Sequence, residues 1–278
     1  MLVDKVVKFI FSFVTGVIAF GIISLIFFLV LQGIDDISLN FLTTFPENSM
    51  TTGGIFPALL GSLYFLMVAM IFAVPVGLLG AIYLGEYSKD NLFKKIVLTS
   101  VNILAGIPSV IFGLFGLALF CIIFGFGTSV IAGGLTLGIM SLPYIISNTH
   151  ESLRSVPNSY REASYGLGAN KAQTVFGVVL PSATSRIITG IIIAIGRIIG
   201  ETAPILFTGA AFYITKNPSN MFQPTMALPT HIFVLSTVYS EEVTPKLEGT
   251  ISVLILIVVV LFFIASIFRK KSEKFQGG

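Results

Sequence analysis

The sequence predicts an all-α membrane protein with six transmembrane helices. Three observations carry that prediction. Of 278 residues, 55% are hydrophobic and only 10% are charged, against about a quarter charged in ordinary soluble domains; the mean hydropathy is +0.97. Apolar runs recur at the length of roughly 20 residues that a hydrocarbon core of about 30 Å requires. Basic residues cluster in alternate connections between those runs, as orientation by positive charge demands.

The first span covers about 6–31. "MLVDKVVKFIFSFVTG" begins like a secretion signal, but the apolar run is too long for one and no A-x-A site follows, so a retained span is expected. The second covers about 57–85, opened by Pro57 and interrupted by Pro75. The third covers about 96–124 with Pro108 inside, and the fourth about 128–147. The fifth covers about 187–213 with Pro204 near its far end, and the sixth about 250–268. Prolines inside spans are expected to kink them where neighbours or water satisfy the freed carbonyls. Gly134–Gly138 and Gly196–Gly200 each form G-x-x-x-G, which permits close helix approach.

With six spans both termini share a side. That side collects Lys5, Lys8, Lys89, Lys94, Lys95, Arg154, Arg161, Lys171, Arg186, Arg269, Lys270, Lys271 and Lys274, or 13 of the 16 basic residues. The other side has Lys216 and Lys246 among the acids Asp35, Asp36, Glu47, Glu241, Glu242 and Glu248. Both termini and the loop at 148–186 are therefore expected in the cytoplasm. The outer segment 214–249 is apolar for a loop, and a helix at the outer interface is expected there, with Tyr213 and Tyr239 as anchors and His231 at the surface.

Several chemistries are excluded. The chain has no G-x-x-x-x-G-K-[ST] loop for ATP and no G-x-S-x-G nucleophile turn. "HESLR" has Arg154 where a zinc helix needs its second His. His150 and His231 fall on opposite sides of the membrane and cannot share a metal. Cys121 lies in an apolar run and reads as a small buried hydrophobe.

Arg197 and Glu201 stand out. A charge at the centre of a membrane helix costs roughly 2.5–3.5 kcal/mol on an insertion scale. Counted from Ile187 at about 1.5 Å per residue, Arg197 lies roughly 15 Å into the fifth span, with Glu201 four residues on and on the same helix face. Two readings are open. Arg197 supplies positive potential on an anion path, with Glu201 holding it or preventing the anion from being trapped; or the two form a buried pair that fixes helix register. Thr202, Thr208 and Ser109 are candidate hydroxyl donors to an oxyanion, against the alternative of hydroxyls bonded back to their own helix.

The segment "NTHESLRSVPNSYREASYGLGANKAQTVFGVVLPSATSR" is too long for a turn. Its pattern predicts two short helices joined near Gly166 and Gly168, lying along the cytoplasmic membrane surface, with Ala163 and Ser164 small enough to admit a partner. Here the sequence resembles the inner-membrane permeases of ABC importers, whose signature is E-A-A, three residues, Gly, nine residues, an aliphatic residue, one residue, then Leu-Pro. The matching positions are Glu162, Ala163, Ser164, Gly168, Val178, Leu180 and Pro181, with Ser for the second Ala and Val for the usual Ile. "AGIPSVIFGLFGL", "RIIGETAPILFTGA" and "QPTMALPTHIF" resemble phosphate permeases of the PstA type.

The resemblance implies the six-span fold of type I importers, in a prokaryotic inner membrane. It implies a permease core at 57–269 after a first helix and outer loop at 1–56, and a cytoplasmic tail at 270–278. It also implies phosphate import driven by a separate ATPase dimer docked on the 148–186 loop, and Arg197, Glu201 and Thr202 along the path. A second permease of the PstC type, an extracytoplasmic phosphate-binding protein and membrane lipid are the implied partners. No enzyme activity, cofactor, metal or nucleic-acid partner is implied. Rival readings are an importer of sulfate, molybdate or tungstate, a stand-alone proton-coupled carrier, and an assembly protein without flux.

Overall fold

In the computed structural model, which describes residues 2–238 and 243–276, nearly all backbone polarity is closed inside helices, the condition for crossing lipid. The first helix, α1 (Leu2–Gly33), is apolar on every face and rests against one neighbour. A short outer segment follows, with α2 (Leu39–Thr43) capped by Ser38 and an antiparallel pair β1 (Pro46–Glu47) and β2 (Thr52–Gly53). Helix α3 (Phe56–Ile82) carries Pro57 in its first turn and Pro75 inside, and ends in a π-turn at Tyr83–Tyr87.

The third span departs from expectation. It is two helices, α4 (Leu92–Ala105) and α5 (Ser109–Gly116, with a π-turn at Leu117–Ile123), bent by 103° at Gly106–Pro108. Pro108 adopts φ −57°, ψ 139° and cannot donate to a continuing helix, so the chain breaks rather than kinks.

Helix α6 (Val130–Arg154) starts where Ser129 caps Ala132 at 3.2 Å. It runs seven residues past the expected end, so residues 148–154 belong to a span and not to the loop. The loop itself is α7 (Asn158–Gly166), then α8 (Lys171–Thr174), then a π-turn at Val175–Val179 leading straight into α9 (Leu180–Gly200). The fifth helical run thus covers 171–200, not 187–213. It stops at Glu201, whose backbone is extended, before α10 (Ala203–Thr208). Helices α11 (Leu228–Val238) and α12 (Thr244–Gln276) complete the chain. Tyr239, Glu241 and Glu242 lie outside the described residues.

Helix α6 is the hub, packed on α3 along its length and on α9, α4 and α5. Small residues permit this: a Cβ on Gly134 would collide with Val68, and one on Gly138 with Phe72 and the Ala69 carbonyl. The second G-x-x-x-G pair divides, because Gly196 lies against Phe262 while Gly200 faces open space. Phe65, Leu137, Ile198 and Ile205 form the central core. A second core under the α7–α8 segment joins Ile82, Leu153, Val175, Val179 and Ile187.

Helix α11 corrects another expectation. It does not lie on the surface: its first half is buried, and His231 is 2% exposed. The Leu228 amide donates to Ser62 Oγ of α3 at 2.8 Å, and Val130 and Ile131 amides donate to the carbonyls of Gln223 and Met221. Those cross-segment bonds satisfy the backbone of a non-helical stretch inside the bundle.

Cys121 is buried as expected, its thiol donating to the Thr208 carbonyl at 3.6 Å.

Candidate functional site

Two sites emerge, one at each end of α9. The first is the α7–α8 segment. Pro157 starts α7 and Gly168, at φ +85°, turns the chain toward α8; only glycine adopts that conformation without cost. Asn170 and Gln173 then close a reciprocal capping box at 2.9 and 2.8 Å. Ser164 Oγ lies 2.9 Å from Thr174 Oγ1 in a buried contact that clips α7 to α8.

Of the expected coupling residues, Ser164 is buried, Val178 and Leu180 are half-buried, and Glu162, Ala163, Gly168 and Pro181 are exposed. Tyr160, Ala163, Leu167, Ala169 and Val178 line a shallow apolar depression of about 350 Å³, with Ser164 at its base. Leu167 is 91% exposed. An apolar, small-residue surface on a polar loop is the arrangement a partner protein covers.

The segment is tied to the span above it by side chains the sequence pattern did not single out. Arg161 Nη2 donates to Glu86 Oε1 at 2.6 Å and Nε to Oε2 at 3.3 Å. The same guanidinium donates to the carbonyls of Val156 at 2.8 Å and Leu153 at 3.0 Å, where α6 ends. Lys171 Nζ stands 5.1 Å above the Tyr87 ring. Glu86 and Tyr87 both lie on the π-turn that closes α3. One arginine thus joins α3, α6 and α7. The only signal available beforehand was a lone acid at the end of a span.

The second site is the break after α9. Arg197 lies in the last turn of α9, where a cation complements the helix dipole. Its Nε donates to Glu201 Oε1 at 3.3 Å. Glu201 reaches it from extended backbone, not from the same helix face as expected. The Arg197 side chain is 47% exposed, and its terminal amino groups make no hydrogen bond among the described residues. Arg186, Ile193, Arg197 and Gly200 form an exposed stripe at helical spacing along α9, a face this chain does not cover. Thr202 follows Glu201, and its hydroxyl has no bond among the described residues. Thr208 is bonded back to the Pro204 carbonyl at 2.6 Å and is not available. Ser109 starts α5 and is half-buried.

Residues 73–275 match the family of binding-protein-dependent transport system inner membrane components. The chain belongs to that family. It is 33% identical over 245 residues to a probable ABC transporter permease protein, YqgI, of Bacillus subtilis, covering 84% of this chain and 83% of that one. It is 36% identical to the phosphate transport system permease protein PstA of Xylella fastidiosa, covering 72% and 69%. It is 30% identical to a probable PstA of Methanocaldococcus jannaschii, covering 94% and 92%. Among solved structures, the inward-facing MetNI methionine ABC transporter superposes with TM-score 0.61 at 19% identity, covering 79% of this chain and 94% of that one. A bacterial alginate ABC transporter bound to its periplasmic protein superposes with TM-score 0.62 at 15% identity, covering 92% of each.

The all-α fold is thus that of ABC importer permeases, and the chain is a multi-pass inner-membrane transport subunit. In this permease the resemblance read from Glu162–Pro181 runs from α7 through α8 and the π-turn into the first turn of α9. The segment "RIIGETAPILFTGA" falls on the break that carries Arg197.

Proposed function

We propose that the chain forms half of the translocation path of an ATP-driven importer of inorganic phosphate, paired with a second permease of the PstC type. An extracytoplasmic phosphate-binding protein delivers the anion. A separate ATPase dimer supplies the energy by docking on α7–α8. The basic end of the bundle faces the cytoplasm, as the positive-charge rule requires.

The observation that carries this reading is Arg197: a permanent charge at a helix break, half exposed, with both terminal amino groups unbonded among the described residues, on an exposed face of α9. Guanidinium matches phosphate oxygens in paired geometry. Broken helices are tolerated in lipid where they line a cavity or pack in protein. Glu201 neutralises the arginine while the path is empty and repels the anion once it has entered, which keeps binding weak enough for release. Thr202 offers a hydroxyl beside the pair. Relatives named for phosphate transport support the choice of anion.

The test is uptake of labelled phosphate by cells lacking this chain, complemented with wild type or Arg197→Gln, with assembly of the complex measured in parallel. Uptake restored by wild type and lost in an assembled variant supports the path role. Normal uptake by the variant overturns it. Uptake of sulfate, molybdate or tungstate in place of phosphate overturns the substrate.

A further inference from the structure

At the basic end of the bundle, a cavity of about 810 Å³ opens between the start of α4, the π-turn after α3, the end of α6 and the inner face of α7. Its walls carry Lys94, Lys95, Arg154 and Arg161 against Glu86 and Asp90. Two of these cations are satisfied: Arg161 by Glu86, and Lys94 by Asp90 at 2.8 Å. Lys95 and Arg154 have no ion-pair partner among the described residues. Their field still reaches Asp90, whose carboxyl is held below the usual range by the Lys94 bond first and by Lys95 and Arg154 in addition. The cavity therefore keeps an unbalanced positive charge.

Helix α4 shows what lies outside. At 100° per residue, Lys94, Lys95 and Leu98 share one face, and Leu92, Phe93 and Ile96 share the opposite one. The first face lines the cavity. The second is largely exposed and apolar. A helix with a basic face on a cavity and an apolar face on lipid marks the membrane interface. The apolar depression on α7 lies on a different face from Asn158 and Arg161, which line this cavity. The depression and the cavity share no lining residue.

We propose that this cavity is a binding site for a phosphate group, held by Lys95 and Arg154 and supplied by the headgroup of an anionic phospholipid. Basic pockets between membrane helices suit that ligand. The cytoplasmic leaflet as its source rests on the orientation proposed above; the binding itself does not. Occupancy places the lipid phosphate between α4 and the Arg161–Glu86 joint, and so beside the segment that docks the ATPase.

The test uses the assembled complex in nanodiscs of phosphatidylcholine containing spin-labelled phosphatidylglycerol or spin-labelled phosphatidylcholine as probe. Wild type should immobilise the anionic probe selectively. Lys95→Gln with Arg154→Gln should lower that selectivity at least fivefold while the complex stays assembled. Inorganic phosphate is added in a second arm. If it binds the wild type but not the variant and displaces the lipid probe, the phosphate site stands and its source is the free anion. Equal probe and phosphate binding by wild type and variant overturns the proposal. So does loss of the ATPase from the variant with lipid selectivity unchanged, since the cavity is then a protein contact. Labelling of Ser88→Cys from either side of the membrane, in a Cys121→Ala background, reports the orientation separately.

Discussion

Two arginine–glutamate pairs among the described residues are of opposite character. Arg197 and Glu201 are four residues apart, joined by one bond of 3.3 Å, with the arginine half exposed. Arg161 and Glu86 are 75 residues apart, joined by two bonds, with side chains 15% and 9% exposed and two backbone carbonyls completing the guanidinium's contacts. The first pair leaves donors unspent; the second spends nearly all of them. A guanidinium with free donors can meet a passing anion. One that is saturated can only hold three elements together. The same two residue types thus serve binding or fastening according to how many partners the fold supplies.

The comparison can be broken at the buried pair. Removing one partner of a buried ion pair strands the other charge, at about 3–5 kcal/mol. Arg161→Ala or Glu86→Gln should lower thermal stability by that order in detergent and release the ATPase from the complex. Unchanged stability would mean the joint is slack.

His231 sharpens the contrast, being a buried polar group with no hydrogen-bond partner for either ring nitrogen among the described residues. Burial, with Lys246 adding to it, pushes its pKa down to about 4. Because the folded value lies below the ordinary 6.5, the stability tied to neutral His231 is complete above about pH 6.5. It is lost as pH falls toward 4, to the extent of about 3 kcal/mol by linkage. Unfolding midpoints measured across that window should fall for wild type and stay flatter for His231→Phe.

Ser164→Ala should cost about 1 kcal/mol, because Thr174 Oγ1 loses its buried partner; chemical denaturation would read it. The smallest stability change belongs to Arg197→Gln, below about 1 kcal/mol for a half-exposed pair. Its uptake should nevertheless fall tenfold or more with the complex still assembled, with Arg197→Lys intermediate because a point charge replaces a fork. If Arg197→Gln destabilises as much as Arg161→Ala, the two pairs are of one kind.

What the sequence disclosed follows from the reach of each signal. Periodicity and hydropathy describe one helix at a time, so the spans, the α7–α8 pair and the Arg197–Glu201 spacing were legible. The tight contact of Gly134 and Gly138 was legible because a motif encodes it. The sequence predicts only a kink where the chain breaks by 103° at Gly106–Pro108, because a proline alone does not tell bending from breaking. His231 reads as a surface residue in the sequence because a polar residue in an outer segment usually is exposed. Bonds from Ser62 and from the amides at the start of α6 draw that segment inward, and no local pattern records them. No local pattern marks the role of Glu86 for the same reason: its partner lies far along the chain. Arg197 is a residue whose neighbours in sequence are its neighbours in space, and such residues are the readable ones.

The π-turn at Val175–Val179 has a consequence for chain length. The Leu180 amide bonds to the Val175 carbonyl, five residues back. One more residue is therefore wound into that turn than an α-helix would hold. Every residue beyond it is set off by about 100° from where an unbroken helix would aim it. Deleting one residue there, at Gly177 for instance, lets the turn relax to an ordinary helix and swings the α7–α8 segment around the axis of α9. The apolar depression and the arginine stripe are mounted on one shaft, and this turn sets the angle between them. Between Ser164 and Arg197 the count of residues is itself part of the machine's gearing.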